Sequence, residues 1–99
     1  MTIKLVNRGT EGELLLDGRL DAVSAQEVEE LLLQLTNRFE KLILNMEKLT
    51  YISSAGLRVL KKLYMASVKQ DVALELSHVS KLVMEVLEMT GFSGLLTIV

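Results

Sequence analysis

Apolar residues change their spacing several times along this chain, and each change marks a new element. Ile3 to Val6 and Glu13 to Leu16 read as two short strands with Gly12 in the turn between them, an antiparallel hairpin. From Ser24 the period lengthens. Ser24 stands three residues before Glu27, the spacing of a capping box, and Val28, Leu31, Leu32 and Leu35 then recur at helical intervals, predicting a helix to about Asn37. Leu42-Ile43-Leu44 is an unbroken apolar run, the pattern of a central strand covered on both faces. Leu57, Leu60, Tyr64 and Val68 mark a second helix, with Lys61, Lys62 and Lys69 on its wet side and Gln70-Asp71 as its terminating turn. Val72 to Leu76 returns as a strand. Val79, Leu82, Val83, Val86 and Leu87 define a third helix that stops near Gly91, and Leu95 to Val99 closes the chain as a strand. The order ββαβαβαβ predicts an α/β domain: strand–helix–strand alternation gives parallel neighbours, the opening hairpin an antiparallel one, and the sheet is mixed.

Composition sharpens this without redirecting it. Ninety-nine residues, 49% of them hydrophobic, support one core, so residues 1–99 are expected to form a single domain. No proline and no linker interrupts it. Eleven basic against thirteen acidic side chains leave a net charge of −2, which draws the chain neither to nucleic acid nor to an anionic membrane. Without cysteine there is no disulfide framework and no thiolate-bound metal. The N-terminus lacks the apolar stretch of a signal peptide, and apolar runs fall short of the ~18 residues a membrane span needs. A cytoplasmic protein without membrane insertion is expected.

The candidate chemistry is concentrated in Ser53-Ser54-Ala55-Gly56-Leu57, which places paired hydroxyls and a glycine between an apolar strand and an amphipathic helix. The first turn of a helix has backbone N–H groups without intrahelical partners and a favourable dipole, so a phosphate on a hydroxyl there is well received. The plainer reading, favoured by local sequence alone, is that one of the serines simply caps the helix. Asp21 likewise reads as a turn residue or a helix cap. Met84 and Met89, at helical spacing, read as core filler, and Lys61 and Lys62 as a solvated face.

Catalysis finds little support. Ser54 is not in a Gly-x-Ser-x-Gly elbow, and no Ser-x-x-Lys occurs. The single histidine, His78, falls in a loop after a strand, and one histidine makes no multi-histidine metal site. Gly91-Phe92-Ser93-Gly94 fits a Gly-x-x-Gly loop but lacks basic residues and reads as a turn.

Gly18-Arg19-Leu20-Asp21, Leu42-Ile43-Leu44-Asn45-Met46, Tyr51 to Leu60 and Met89-Thr90-Gly91-Phe92, in that order over nearly the whole chain, resemble the anti-sigma factor antagonists of the STAS domain family. The resemblance implies a single STAS domain that is not an enzyme and needs no cofactor. In its unphosphorylated form it would bind an anti-sigma factor or serine kinase of GHKL type and so release a sigma factor. It implies that the kinase phosphorylates Ser54, two places before the motif glycine, and that a serine phosphatase reverses this. It further implies a partner-binding surface made of Asp21, Ser53, Ser54, Ala55, Gly56 and Arg58. Many members carry Asp where this chain has Ser53, which offers the kinase a second hydroxyl. An alternative within the same fold is an accessory subunit of a transporter or lipid-transport complex, without phosphate control.

Overall fold

Leu14, Leu16, Leu42, Leu44 and Leu76 are each at most 2% exposed, and their strand neighbours Leu15, Ile43 and Glu75 are not buried. That period-two burial is what a sheet covered on one face requires. The computed structural model describes residues 1–99. It contains strands β1 (Thr2–Arg8), β2 (Glu11–Leu20), β3 (Lys41–Ile52), β4 (Ala73–Ser77) and β5 (Thr97–Ile98) and helices α1 (Ala22–Leu35), α2 (Ser54–Gln70) and α3 (Lys81–Met89). The strands lie in sheet order β1-β2-β3-β4-β5, with β1 antiparallel to β2 and every other pairing parallel. The expected ββαβαβαβ order and mixed sheet are therefore present.

Val28, Leu32 and Leu35 of α1, Leu57, Leu60 and Leu63 of α2, and Val83 and Leu87 of α3 join the strand leucines in one core cluster. The other sheet face mixes half-buried Val6, Leu15 and Ile43 with charged and polar side chains. There Arg8 reaches Glu13 at 2.7 Å, Lys41 reaches Glu75 at 3.3 Å, and the Asn45 amide donates to Glu13 at 3.1 Å. Those bonds, from Asn45 first and then Arg8, hold the Glu13 carboxyl below its usual range.

Several expectations need correction. Ile43 is only half-buried, on the face opposite the helices, so Leu42-Ile43-Leu44 is not covered on both sides. The first helix starts at Ala22 with Asp21 as its cap, and Ser24 lies inside its first turn. Leu31, Val68 and Leu82, expected to face the core, are 45%, 63% and 59% exposed, because each falls just outside the stripe its helix presents to the sheet. Met89 is 86% exposed and fills no core. The last strand shrinks to Thr97–Ile98, since Phe92–Gly94 forms a 3₁₀ turn ahead of it.

Two register shifts separate β2 from an ideal ladder with β3, one between Leu15 and Asp17 and one between Gly18 and Arg19. Gly18 has φ +118, a conformation that L side chains rarely adopt. Each shift leaves one extra residue on β3, and pairing resumes with Arg19 opposite Tyr51 and Leu20 opposite Ile52. Both chains leave the sheet at that point, and the first turns of α1 and α2 begin side by side.

Candidate functional site

Asp21 and Ser53 are the helix caps at this junction, one residue past the Leu20–Ile52 pair. The Ser53 N–H still donates to the Leu20 carbonyl at 2.9 Å, which ties the two caps together. Asp21 Oδ1 accepts from the backbone N–H groups of Val23 and Ser24, both at 3.1 Å. In return Ser24 Oγ accepts from the Asp21 N–H at 2.9 Å and donates to the Arg19 carbonyl at 2.6 Å. This is a closed capping box. The Ser24 N–H, and after it the Ser24 hydroxyl, the Val23 N–H and the charge of Arg19, hold the Asp21 carboxyl below its usual range against partial desolvation. Asp21 therefore stays an anion at neutral pH.

The start of α2 is built differently. Ser53 Oγ accepts one bond, from the Gly56 N–H at 3.3 Å, and neither the cap nor the first turn carries an acidic side chain. Ser54 is exposed at the first helical position, so the two serines divide the roles that the sequence left open: Ser53 is the cap, Ser54 faces solvent. Ala55 is half-buried and Arg58 is exposed. Gly56 is buried. A Cβ there would lie 2.7 Å from the Leu20 carbonyl oxygen and 2.9 Å from Ile52 Cγ1, so the motif glycine lets α2 seat against the strand ends and is not itself available to a partner.

Asp21, Ser53 and Ser54 are thus brought together, with Arg58 one turn further along the exposed side of α2. Two neighbours were not singled out by sequence reasoning. The Arg19 guanidinium lies 4.2 Å from the centre of the Tyr51 ring, and its Nε is 3.9 Å from Asp21 Oδ2. Arg19 and Tyr51 are cross-strand partners. They extend the junction with a cation stacked on an aromatic ring. No cluster of metal-ligating side chains occurs in the structure, and no helix is long and apolar enough to cross a membrane.

The STAS domain family profile matches residues 4–99. No curated protein matches the chain. Among solved structures, an anti-sigma factor antagonist from Mycobacterium paratuberculosis superposes with a TM-score of 0.87 at 14% identity, over 98% of this chain and 83% of that one. The Bacillus anti-sigma factor antagonist SpoIIAA matches in its unphosphorylated form (TM-score 0.77, 15% identity, 99% and 87% covered). Its phosphorylated form matches almost equally (TM-score 0.76, 15% identity, 99% and 91% covered). A sulfate transporter family protein from Wolinella succinogenes superposes with a TM-score of 0.80 at 22% identity, over 92% of this chain and 75% of that one.

Proposed function

The chain belongs to the STAS domain family, and from that premise we propose that it is an anti-sigma factor antagonist switched by phosphorylation of Ser54. Unphosphorylated, it binds an anti-sigma factor or GHKL-type serine kinase through Asp21, Ser53, Ser54, Ala55 and Arg58 and so frees a sigma factor. The kinase moves the γ-phosphoryl group of ATP to Ser54 Oγ, whose proton is lost as ADP leaves. A serine phosphatase hydrolyses the ester and restores binding.

The observation that carries this reading is the division of labour between the two serines: Ser53 caps α2, and Ser54 stands exposed at its first position. A phosphate adds about −1.5 to −2 charges, accommodated by the free N–H groups of the first turn. Against a partner carboxylate at ~6 Å and an effective dielectric near 20, each unit-charge pair is worth about 3 kcal/mol before screening. At about 1.4 kcal/mol per tenfold, each such pair weakens binding about a hundredfold without refolding. The near-equal likeness to both forms of SpoIIAA supports a switch that leaves the fold in place.

Incubation with ATP and the native serine kinase, followed by phosphopeptide mapping, should place the phosphate on Ser54. Modification confined to Ser53, or unchanged in Ser54→Ala, overturns the assignment. The likeness to a sulfate transporter family protein favours a second reading, a transporter-docking domain. That reading predicts no phosphate at either serine and co-purification with a membrane component.

A further inference from the structure

Helix α2 carries four basic side chains, Arg58, Lys61, Lys62 and Lys69, and no acidic one. Lys62 is held by Glu29 of α1 at 2.8 Å. The other three are exposed and make no ion pair within the molecule. Among them stand Met65 and Val68, 59% and 63% exposed. A single exposed apolar residue needs no explanation, but the spacing here does. Ser54, Arg58, Lys61, Met65 and Val68 follow one another in alternating steps of four and three residues, the seam by which one helix receives another.

The neighbouring helix argues about what could lie on that seam. α1 contains Glu27, Glu29 and Glu30 and no basic residue, and α3 carries Lys81, Glu85 and Glu88, so α2 is the one helix of the layer whose charges are all basic. A flat anionic bilayer pressed against the layer would meet the acidic side chains as well as the basic ones. A single helix, ~10 Å across, covers α2 alone.

We propose that the exposed face of α2 receives an acidic amphipathic helix of the partner protein, its apolar side chains on Met65 and Val68 and its carboxylates on Arg58 and Lys61. This inference rests on the partner-binding reading above and names the chemistry of the partner. It also gives the phosphate a second action. Ser54 lies one turn before Arg58 on the same stripe, so phosphoserine there pairs with the guanidinium within the chain and withdraws it from the incoming carboxylate.

The test uses a synthetic acidic amphipathic helix of glutamate and leucine in heptad spacing, titrated into isotopically labelled protein and followed by amide and arginine side-chain spectra. A scrambled peptide of the same composition and phosphatidylglycerol vesicles run beside it. Shifts should be confined to the exposed side of residues 54–69. Lys61→Glu should weaken binding about three- to fivefold and Met65→Glu about tenfold or more. Phosphoserine installed at position 54 during translation, without any kinase, should weaken the peptide and move the Arg58 Nε–H signal, and Arg58→Gln should remove most of that weakening. Shifts mapping elsewhere, equal binding of the scrambled peptide, binding to the vesicles, or an Arg58 signal indifferent to the phosphate would each overturn the proposal. A kinase that never modifies Ser54 sinks the phosphorylation reading while leaving this peptide map intact. A failed map beside normal phosphorylation sinks only the α2 docking face.

Discussion

The two helices that start side by side at the ends of β2 and β3 are capped in opposite ways. At α1 an anionic Asp21 receives two backbone N–H groups and is answered by Ser24, so both the orphan donors and the helix dipole are met from within. At α2 a neutral Ser53 makes one longer bond of 3.3 Å, and no carboxylate stands at the cap. The first terminus is finished and the second is left open to negative charge beside an exposed hydroxyl. The contrast separates a cap complete in itself from the helix start at which the proposed phosphate would sit.

The contrast breaks most severely at Gly56, because α2 can present Ser54 only if it seats against Leu20. Gly56→Ala puts a methyl group 2.7 Å from a backbone oxygen that cannot move aside. The clash should outweigh the better helix propensity of alanine and cost about 2–3 kcal/mol in chemical denaturation. Ser24→Ala comes next. It strips the return half of the box and leaves the Asp21 N–H and the Arg19 carbonyl without their side-chain partner, for a loss of about 1–2 kcal/mol. Ser53→Ala removes only one long bond and should cost about 0.5–1 kcal/mol. A Ser53 loss equal to that at Ser24 would contradict the difference between the two termini.

Acid should tell the two ends apart more gently. The Asp21 carboxyl is held below its ordinary value, so the stability it contributes is complete above about pH 4 and disappears as pH falls through the lowered value. The Ser24 N–H should lose exchange protection over that window before the Gly56 N–H, whose acceptor is a serine that does not titrate. Glu13 titrates in the same direction and links β2 to β1 and β3, so Glu13→Gln provides the background against which the local effect is read. Smallest of all is Ser54→Ala. At an exposed first helical position it should change stability by no more than about 0.5 kcal/mol, while removing the proposed phosphate acceptor.

Much of this architecture can be read from the spacing of apolar residues, because periods of two and of three to four are local properties. The α1 cap was legible at Asp21 only as one of two readings, for a specific reason. Asp21 and Ser24 lie three apart, as do Ser24 and Glu27, so local rules fit a box at either place. The choice is made by the sheet, which releases the chain at Leu20 once two register shifts have brought it opposite Ile52. The same shifts set Arg19 across from Tyr51. Sequence spacing carries no trace of a stacking that depends on two bulges. The apolar run at Leu95 and Leu96 promised a longer strand than exists, since Leu96 is buried in the core from outside the ladder. At the site itself, the choice between Ser53 and Ser54 needed the hydrogen bond to Gly56.

The central claim is that negative charge at the open end of α2 releases the partner while the fold stays intact. The most direct measurement is a calorimetric titration of the native kinase partner with unmodified protein and with protein carrying phosphoserine at position 54, beside amide spectra of both. The account predicts that the unmodified form binds, that the phosphorylated form binds at least a hundredfold more weakly by the arithmetic of about 3 kcal/mol per charge pair, and that spectral changes stay near residues 53–58. Equal affinity of the two forms, or changes spread through the sheet, would contradict it.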